Sequence, residues 1–190
     1  MNTTDKIIKV IRSDISDIAV AHQKTTEDLY KFVKVSDRRA YNFVIDSLYL
    51  LEDTQLAKES FLSLTLPKDN FGEVYLLFYG VLNACYMQQQ AALVICRELD
   101  ITENIDLLKS AEIFDYRNSF SAHSANRGRG NGEHSFILDR HAMLEGKVKG
   151  YSSNHKDGHL AKNGDIYQLI NDWSDLLEKQ MILVGEKIVG

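Results

Sequence analysis

The scarcity of residues that interrupt helices is the feature that most constrains this fold. Pro67 is the only proline in 190 residues, and no glycine precedes Gly72. Relative to alanine, glycine inside a helix costs about 1 kcal/mol and proline about 3 kcal/mol. Residues 1–66 therefore contain neither of the two strongest helix breakers, and we expect a mainly α protein.

Two amphipathic helices are predicted in residues 1–66. One face of the first helix is formed by the isoleucines Ile7, Ile8, Ile11, Ile15 and Ile18. The second helix begins after Ser36, whose hydroxyl suits an N-cap. Its apolar face is formed by Tyr41, Val44, Leu48, Leu51, Leu56 and Phe61. Pro67 ends this segment.

Residues 68–126 are expected to form the core helices. Asn70 and Glu73 have the spacing of a capping box at the start of the longest helix. Its apolar face keeps helical spacing with Val74, Leu77, Phe78, Val81, Cys85, Ala92 and Cys96. A further helix begins near Thr102 and runs into a polar motif. Its inward-facing residues are Ile105, Leu108, Ala111, Ile113 and Phe114.

The chain changes character after residue 126. Seven of the 11 glycines lie between Gly128 and Gly164, and five of the six histidines lie between residues 123 and 159. Residues 117–162 carry 8 Lys and Arg against 4 Asp and Glu, a net charge of +4, whereas the remaining residues carry −9. This basic segment is either a solvated loop or a region that holds a phosphate or a short RNA.

The predicted architecture is a single domain over residues 1–190. Residues 134–153 favour a β-hairpin that turns at Glu145 and Gly146. Helical spacing returns at residues 164–188, with Ile166, Leu169, Ile170, Trp173, Leu177 and Met181 facing inward. We predict an up-and-down helical bundle, with a small β-hairpin in a glycine-rich insertion (residues 127–162) before the last helix.

Composition excludes several classes of protein. Apolar residues make up 44% of the chain and charged residues 26%, which is ordinary for a globular domain. No apolar run reaches the ~18 residues of a membrane span, and the N-terminus lacks the apolar stretch of a signal peptide. We therefore predict a cytoplasmic protein without a membrane partner. Cys85 and Cys96 are too far apart on one helix for a disulfide and are expected to be buried thiols.

The motif RNSFSAH, Arg117 to His123, carries the strongest chemical signal. The arginine fork matches a phosphate, including one that gains charge in a transition state. Histidine exchanges protons near neutral pH, and Asn118 offers a neutral hydrogen bond that orients either group. Together Arg117, Asn118 and His123 suit phosphodiester cleavage without a metal, in which the ribose 2′-hydroxyl of RNA is the nucleophile.

Other polar residues give weaker signals. The basic residues that could guide RNA are Arg127, Arg129, Arg140, Lys147 and Lys149. We predict no metal site, because Gly158 disfavours the helix that would bring His155 and His159 together. The chain has no P-loop, no Gly-x-Ser-x-Gly and no dinucleotide-binding glycine pattern, and no cofactor is expected.

A helix that ends in Arg-Asn, four residues and His resembles the signature of the HEPN superfamily (higher eukaryotes and prokaryotes nucleotide-binding). The preceding helix, YGVLNACYMQQQAALVICREL, resembles the helix that packs beside that motif in the family. The resemblance covers residues 70–126 and the last helix, but not residues 1–65 or the insertion. In one toxin branch a tyrosine stands two residues after the histidine, whereas this chain has Ala125, so adenylylation of that tyrosine is not supported.

The resemblance implies a homodimeric, metal-independent endoribonuclease with a toxin or phage-defence role. His123 would be the general acid and base, Arg117 would stabilise the phosphorane, and Asn118 would orient both. Products would carry a 2′,3′-cyclic phosphate. In a straight helix Arg117 and His123 point about 120° apart, and the family resolves this by facing two motifs across a two-fold axis. Some members are paired with an antitoxin protein.

Two other readings of the motif remain open. Arg117 could pair with Asp115 or with an acid of a neighbouring helix, and His123 could be a cation favoured by the helix dipole. Family members without nuclease activity exist, so the alternative function is a non-catalytic helical dimer that binds a partner protein or a nucleotide. The tyrosines Tyr75, Tyr79 and Tyr86 fit packing better than base stacking.

Overall fold

The computed structural model describes residues 3–21, 26–122, 136–155 and 158–189. It is mainly α with a small antiparallel sheet, so the predicted fold class is confirmed. The helices are α1 (Thr3–Ala21), α2 (Thr26–Val33), α3 (Arg38–Ser63), α4 (Phe71–Glu98), α5 (Ile105–Ser110), α6 (Glu112–Arg117), α7 (Arg140–Met143) and α8 (Ile166–Val189). No helix in these ranges combines the length and the apolar character needed to cross a membrane.

Helix α3 starts one residue later than Ser36 would set it. Asp37 is the cap, because its Oδ1 accepts a hydrogen bond from the Ala40 backbone N–H at 2.9 Å. That bond satisfies one of the unpaired N–H groups of the first turn and lowers the pKa of the Asp37 carboxyl. The prediction of Ser36 as the N-cap was therefore wrong by one position.

Helical phase corrects one apolar residue of α3. Val44, Leu48, Leu51 and Phe61 are buried as predicted, but Leu56 is 58% exposed. The buried positions after Leu51 are taken instead by Gln55 and Lys58. Gln55 and Lys58 follow Leu51 by four and seven residues, which keeps them on the same face of the helix. Leu56 follows Leu51 by five residues, which turns it away from that face.

Helix α4 begins as the sequence predicts. The Glu73 N–H donates to Asn70 Oδ1 at 3.1 Å, which is the N-cap half of a capping box. The Glu73 carboxylate accepts from Asn70 Nδ2 at 3.4 Å, whereas a full capping box would have it accept from the Asn70 backbone N–H. Farther along, Gln88 Nε2 donates to Gln55 Oε1 at 3.2 Å, so this glutamine lies in the helix interface rather than in solvent.

The single helix predicted from Thr102 into the motif is two short helices. The chain leaves helical geometry at Ala111, with φ −55° and ψ 132°, which separates α5 from α6. Gln89 donates to the Leu108 carbonyl at 2.7 Å and so satisfies an acceptor at the end of α5. After Arg117 the backbone widens into a π-helical turn, Asn118–Ala122.

The sheet has the order β1 (Ile137–Leu138), β2 (Lys147–His155) and β3 (Gly158–Asp165), and both strand pairs are antiparallel. A turn does occupy residues 144–146, where Gly146 has φ +75°. However, the residues before that turn form α7, so the hairpin is mainly β2 with β3. Asp139 explains α7, because its carboxylate accepts from the His141 and Ala142 N–H groups and caps the helix.

The chain divides into two compact units. The first consists of Met1–Leu56, Met87–Lys109 and Ser174–Gly190, and the second of Ala57–Tyr86 and Ser110–Trp173. The core of the first unit includes Ile8, Ile11, Val44, Leu48, Ile95, Leu177 and Met181. The core of the second includes Phe61, Phe78, Leu82, Phe114, Phe120, Val148, Ile166 and Trp173. Both cysteines are buried free thiols as predicted, and burial raises the pKa of Cys85 to about 12.

Candidate functional site

The candidate site lies in the second unit, where α6 meets the π-helical turn. Phe114 anchors α6, because its ring packs edge-on against Trp173 at 4.8 Å and against Tyr86 at 6.3 Å between centroids. Three residues later, Arg117 lies one turn along the same helix and is half-buried. The apolar anchor therefore places the arginine beside α4.

Arg117 is held by two amide oxygens and one aromatic ring. Its Nε and Nη2 both donate to Asn83 Oδ1 at 3.2 Å, and its Nη1 donates to Asn118 Oδ1 at 3.0 Å. The guanidinium carbon lies 3.9 Å from the centroid of the Tyr86 ring. These contacts fix both the edge and the face of the guanidinium.

No carboxylate among the described residues neutralises Arg117. Asp115, the acid nearest in sequence, instead forms an ion pair with Lys162 of β3. The Lys162 ammonium also lies 5.6 Å from the Tyr116 ring and 5.5 Å from the Phe136 ring. Since a half-buried arginine without an acid keeps its full positive charge toward a ligand, this corner of the site favours an anion.

The sheet reaches the motif through two glycines. A Cβ at Gly164 would lie 2.7 Å from Tyr116 Cζ, and one at Gly150 would clash with the Phe120 ring and the Ile137 carbonyl oxygen. Only glycine lets the backbone approach an aromatic ring so closely. The hairpin of the basic insertion therefore packs directly on the α6 and π-helical segment.

The π-helical turn changes the geometry expected for the motif. Its i→i+5 bonds widen the backbone from Asn118 to Ala122, whereas the expectation of about 120° assumed a straight α-helix through these residues. Ser119 donates to the Asp115 carbonyl at 2.8 Å, while the buried Ser121 Oγ has no hydrogen-bond partner among the described residues. His123 directly follows this turn and lies outside the described residues. Single π-turns occur frequently at functional sites.

The predicted RNA-guiding residues have separate environments. Arg127 and Arg129 lie outside the described residues. Arg140 lies 5.2 Å above the Phe71 ring, and Lys147 pairs with Asp165 at 2.7 Å. Lys149 is exposed on β2. None of the three described cations has a recorded contact with Arg117, so the structure joins only Arg117 and Asn118 of the predicted site residues.

Sequence reasoning missed Asn83 and Lys162, and it assigned Tyr86 to packing without connecting it with Arg117. Asn83 and Tyr86 contact Arg117 from α4, and Lys162 holds Asp115 from β3. A polar residue three positions before a tyrosine on an apolar helix is a signal, because such residues share one face. Lys162 offered no comparable signal, because its partner is 47 residues away.

Ionisation within the second unit follows burial and pairing. Burial, together with the nearby Glu112 and Asp115, raises the pKa of Tyr116. The hydrogen bond from Lys147 lowers the pKa of Asp165. Across the described ranges, no cluster of three or more His, Cys, Asp or Glu side chains could hold a metal ion.

Comparisons with family models, with curated proteins and with solved structures found no match to this chain. Functional inference therefore depends on the geometry around Arg117 and on the motif in which it stands.

Proposed function

We propose that this chain is a metal-independent endoribonuclease of the HEPN type, with Arg117, Asn118 and His123 as its catalytic residues. One observation carries the proposal: the Arg117 guanidinium is fixed by amide oxygens and an aromatic ring, with no carboxylate among the described residues. A structural arginine would be expected to pair with an acid, and Asp115 was the natural candidate. Asp115 pairs with Lys162 instead.

The donor count of Arg117 supports phosphate binding. A guanidinium has five N–H donors, and three of them are engaged by Asn83 and Asn118. One N–H on each terminal nitrogen is thus left over among the described contacts. Two such donors match two oxygens of a phosphodiester. The positive charge of the guanidinium would stabilise the additional negative charge of the phosphorane.

In the proposed reaction, His123 removes the proton of the ribose 2′-hydroxyl and the 2′-oxygen attacks phosphorus. The P–O5′ bond breaks and the 5′-oxygen takes a proton from the imidazolium of His123, which leaves a 2′,3′-cyclic phosphate and a 5′-hydroxyl and restores the neutral imidazole. Arg117 stabilises the charge of the phosphorane, and Asn118 orients the arginine through the 3.0 Å bond. Two protomers supply one composite cleft across a two-fold axis, and the enzyme acts as a toxin or in phage defence, with an antitoxin protein as a possible partner.

The experiment compares cleavage of labelled single-stranded RNA in EDTA by the wild type, His123→Ala and Arg117→Ala. Arg12→Ala is the matched control, because Arg12 also stacks on a tyrosine but pairs with Glu52. We expect cleavage by the wild type and Arg12→Ala only, with cyclic-phosphate ends. Circular dichroism and light scattering verify folding and dimer formation.

The outcomes separate the hypotheses. Cleavage by all four proteins indicates a contaminant or another site and contradicts the assignment of Arg117 and His123. Absence of cleavage by the folded, dimeric wild type on several RNAs rejects the nuclease and leaves the binding protein.

An apolar groove in the first unit favours the second candidate, a non-catalytic helical dimer. It has a volume of about 560 Å³ and is lined by Lys6, Ile7, Val10, Ile11, Asp14, Gly185 and Glu186. Val10, which is 57% exposed, lies in the lining of this groove. If this groove is the dimer contact, Val10→Lys yields monomers in light scattering, whereas an unchanged mass contradicts that role.

A further inference from the structure

Asn83 occupies the position beside Arg117 at which a buried arginine usually has an acidic partner. Its single Oδ1 accepts from both Nε and Nη2 of Arg117, the edge that usually binds a carboxylate in a fork. The side-chain amide provides an acceptor for that edge but carries no charge. Asparagine thus fixes the guanidinium and leaves its charge uncompensated.

The orientation of Asn83 is itself fixed. Its Nδ2 donates to the Tyr79 carbonyl at 2.8 Å, one turn earlier on α4, so Oδ1 must face Arg117. Tyr86, three residues farther along, supports the face of the guanidinium at 3.9 Å. Helix α4 therefore contacts the guanidinium at two points, at its edge through Asn83 and at its face through Tyr86, because both residues lie on one face of the helix.

We propose that Asn83 is a positioning residue that presents Arg117 to one phosphodiester group of single-stranded RNA without neutralising it. This inference rests on the proposed function, in which Arg117 is the phosphate-binding residue. A carboxylate at the same position would lose the hydrogen bond that Asn83 Nδ2 donates to the Tyr79 carbonyl, but it would still accept from the same edge of Arg117 and would neutralise it in an ion pair. An incoming phosphate would then have to compete with that ion pair. The neutral amide thus leaves the charge of Arg117 available to bind a phosphate.

The central test is Asn83→Asp, measured with a fluorescent 2′-O-methyl RNA by anisotropy. This probe lacks the nucleophilic hydroxyl, so binding is observed without cleavage. We expect affinity to fall about tenfold or more, the value of one charge-assisted hydrogen bond. The slope of log K against log salt becomes shallower by about 0.7, the value for one phosphate contact on a single strand.

Asn42→Asp is the matched control. It makes the same substitution and the same charge change at an exposed position of α3 in the first unit. Wild-type affinity in this variant excludes a general effect of the added negative charge. An equal loss in both variants overturns the inference, because the effect is then not specific to position 83.

A double-mutant cycle tests whether Asn83 acts through Arg117. In the Arg117→Ala background, Asn83→Asp must cause no further loss of binding. Thermal unfolding separates positioning from support of the fold: we expect the melting temperature of Asn83→Asp to stay near that of the wild type while its affinity falls, because the new ion pair with Arg117 offsets the lost hydrogen bond to the Tyr79 carbonyl. A parallel fall of both quantities, or an effect of Asn83→Asp on affinity that is as large in the Arg117→Ala background as in the wild type, overturns the inference.

If Asn83→Asp does not fold, Asn83→Ala carries the test. It removes the acceptor and keeps the arginine charge, so affinity falls about threefold, within the range of one neutral hydrogen bond, at an unchanged salt slope. Wild-type binding by this variant contradicts the positioning role.

Failure of the proposed function is recognised separately. If Arg117→Ala binds the probe like the wild type, Arg117 is not a phosphate receptor, and both ideas are rejected. If Asn83→Asp and Arg117→Ala both weaken binding of the probe as expected but the wild type cleaves no RNA, only the nuclease activity is rejected. If Arg117→Ala loses binding and Asn83→Asp does not, only the role of Asn83 is rejected.

Discussion

Arg12 in the first unit and Arg117 in the second both stack on a tyrosine ring, but Arg12 pairs with a carboxylate whereas Arg117 is bound by neutral amides. Each guanidinium carbon lies 3.9 Å from the centroid of a tyrosine ring, Tyr49 and Tyr86 respectively. Arg12 forms an ion pair with Glu52, and the two side chains are 28% and 22% exposed. Arg117 is bound by Asn83 and Asn118 instead.

Because both arginines stack on a tyrosine, stacking alone does not determine their different roles. A tyrosine ring orients a guanidinium and stabilises it modestly in both units. The charge partner then determines the role: Glu52 makes Arg12 part of the link between α1 and α3, whereas the amides leave Arg117 able to bind an anion.

Replacing each arginine by alanine should separate the two roles most clearly. Arg117→Ala should lower the rate of RNA cleavage about 10²–10³-fold, because the charge on the phosphorane loses its partner. Arg12→Ala should leave the rate unchanged and lower the free energy of unfolding by about 1 kcal/mol. Single-turnover cleavage and urea unfolding measure the two effects, and equal rates for both variants would remove the contrast.

Glycine substitutions test how tightly each unit packs. Gly150→Ala should destabilise the protein by about 1–3 kcal/mol, because the new Cβ meets the Phe120 ring and the Ile137 carbonyl oxygen. Gly185→Ala, four residues before the end of α8, should stabilise it by about 0.5–1 kcal/mol, since its Cβ would lie 3.8 Å from Ile11 Cδ1, an ordinary contact.

Both glycine variants are compared with the wild type by urea unfolding, with thermal unfolding as a second probe. A neutral Gly150→Ala would show that the hairpin does not need its close approach to the π-helical segment. A destabilised Gly185→Ala would show that the helices near Gly185 lack the space described.

Glu52→Gln makes the surroundings of Arg12 resemble those of Arg117. Because the pair is partly exposed, the free energy of unfolding should fall by less than about 1 kcal/mol, and the fall should shrink in high salt. Urea unfolding at two salt concentrations measures the change. A larger loss that is independent of salt would mean that Glu52 acts through packing and not through charge.

Asp165 should give the smallest effect, as part of the acid limb of the stability curve. The Lys147 hydrogen bond lowers its folded pKa below the ordinary value of 3.8, so its contribution is present above pH 3.8 and is lost as pH falls through the folded pKa. The carboxylate is 38% exposed, which limits the contribution to less than about 1 kcal/mol. Asp165→Asn should therefore flatten the decline in stability between about pH 4 and pH 2, the region of carboxylate protonation, in urea unfolding. An unchanged acid limb would contradict the role of this pair.

Periodicity and capping predicted much of the helical framework. The six residues predicted to face inward on the last helix are all buried in α8, and Asn70 and Glu73 form the predicted cap of α4. These signals are local, since they depend on residues within one or two turns. The errors at Ser36, Leu56 and Ala111 arose where a neighbouring residue satisfied the same local rule better or where the backbone left the helix.

The adjacency of Arg117 and Asn118 at the end of a helix follows from the amino-acid sequence alone, because neighbours in the chain stay neighbours in the fold. The contacts of the guanidinium with Asn83 and Tyr86, and the ion pair of Asp115 with Lys162, arise from the packing of elements that are distant in the chain. Those contacts span 31 to 47 residues and depend on how α4, α6 and β3 pack. Helical periodicity specifies a face of a helix, but it does not specify which residue of another element will meet that face.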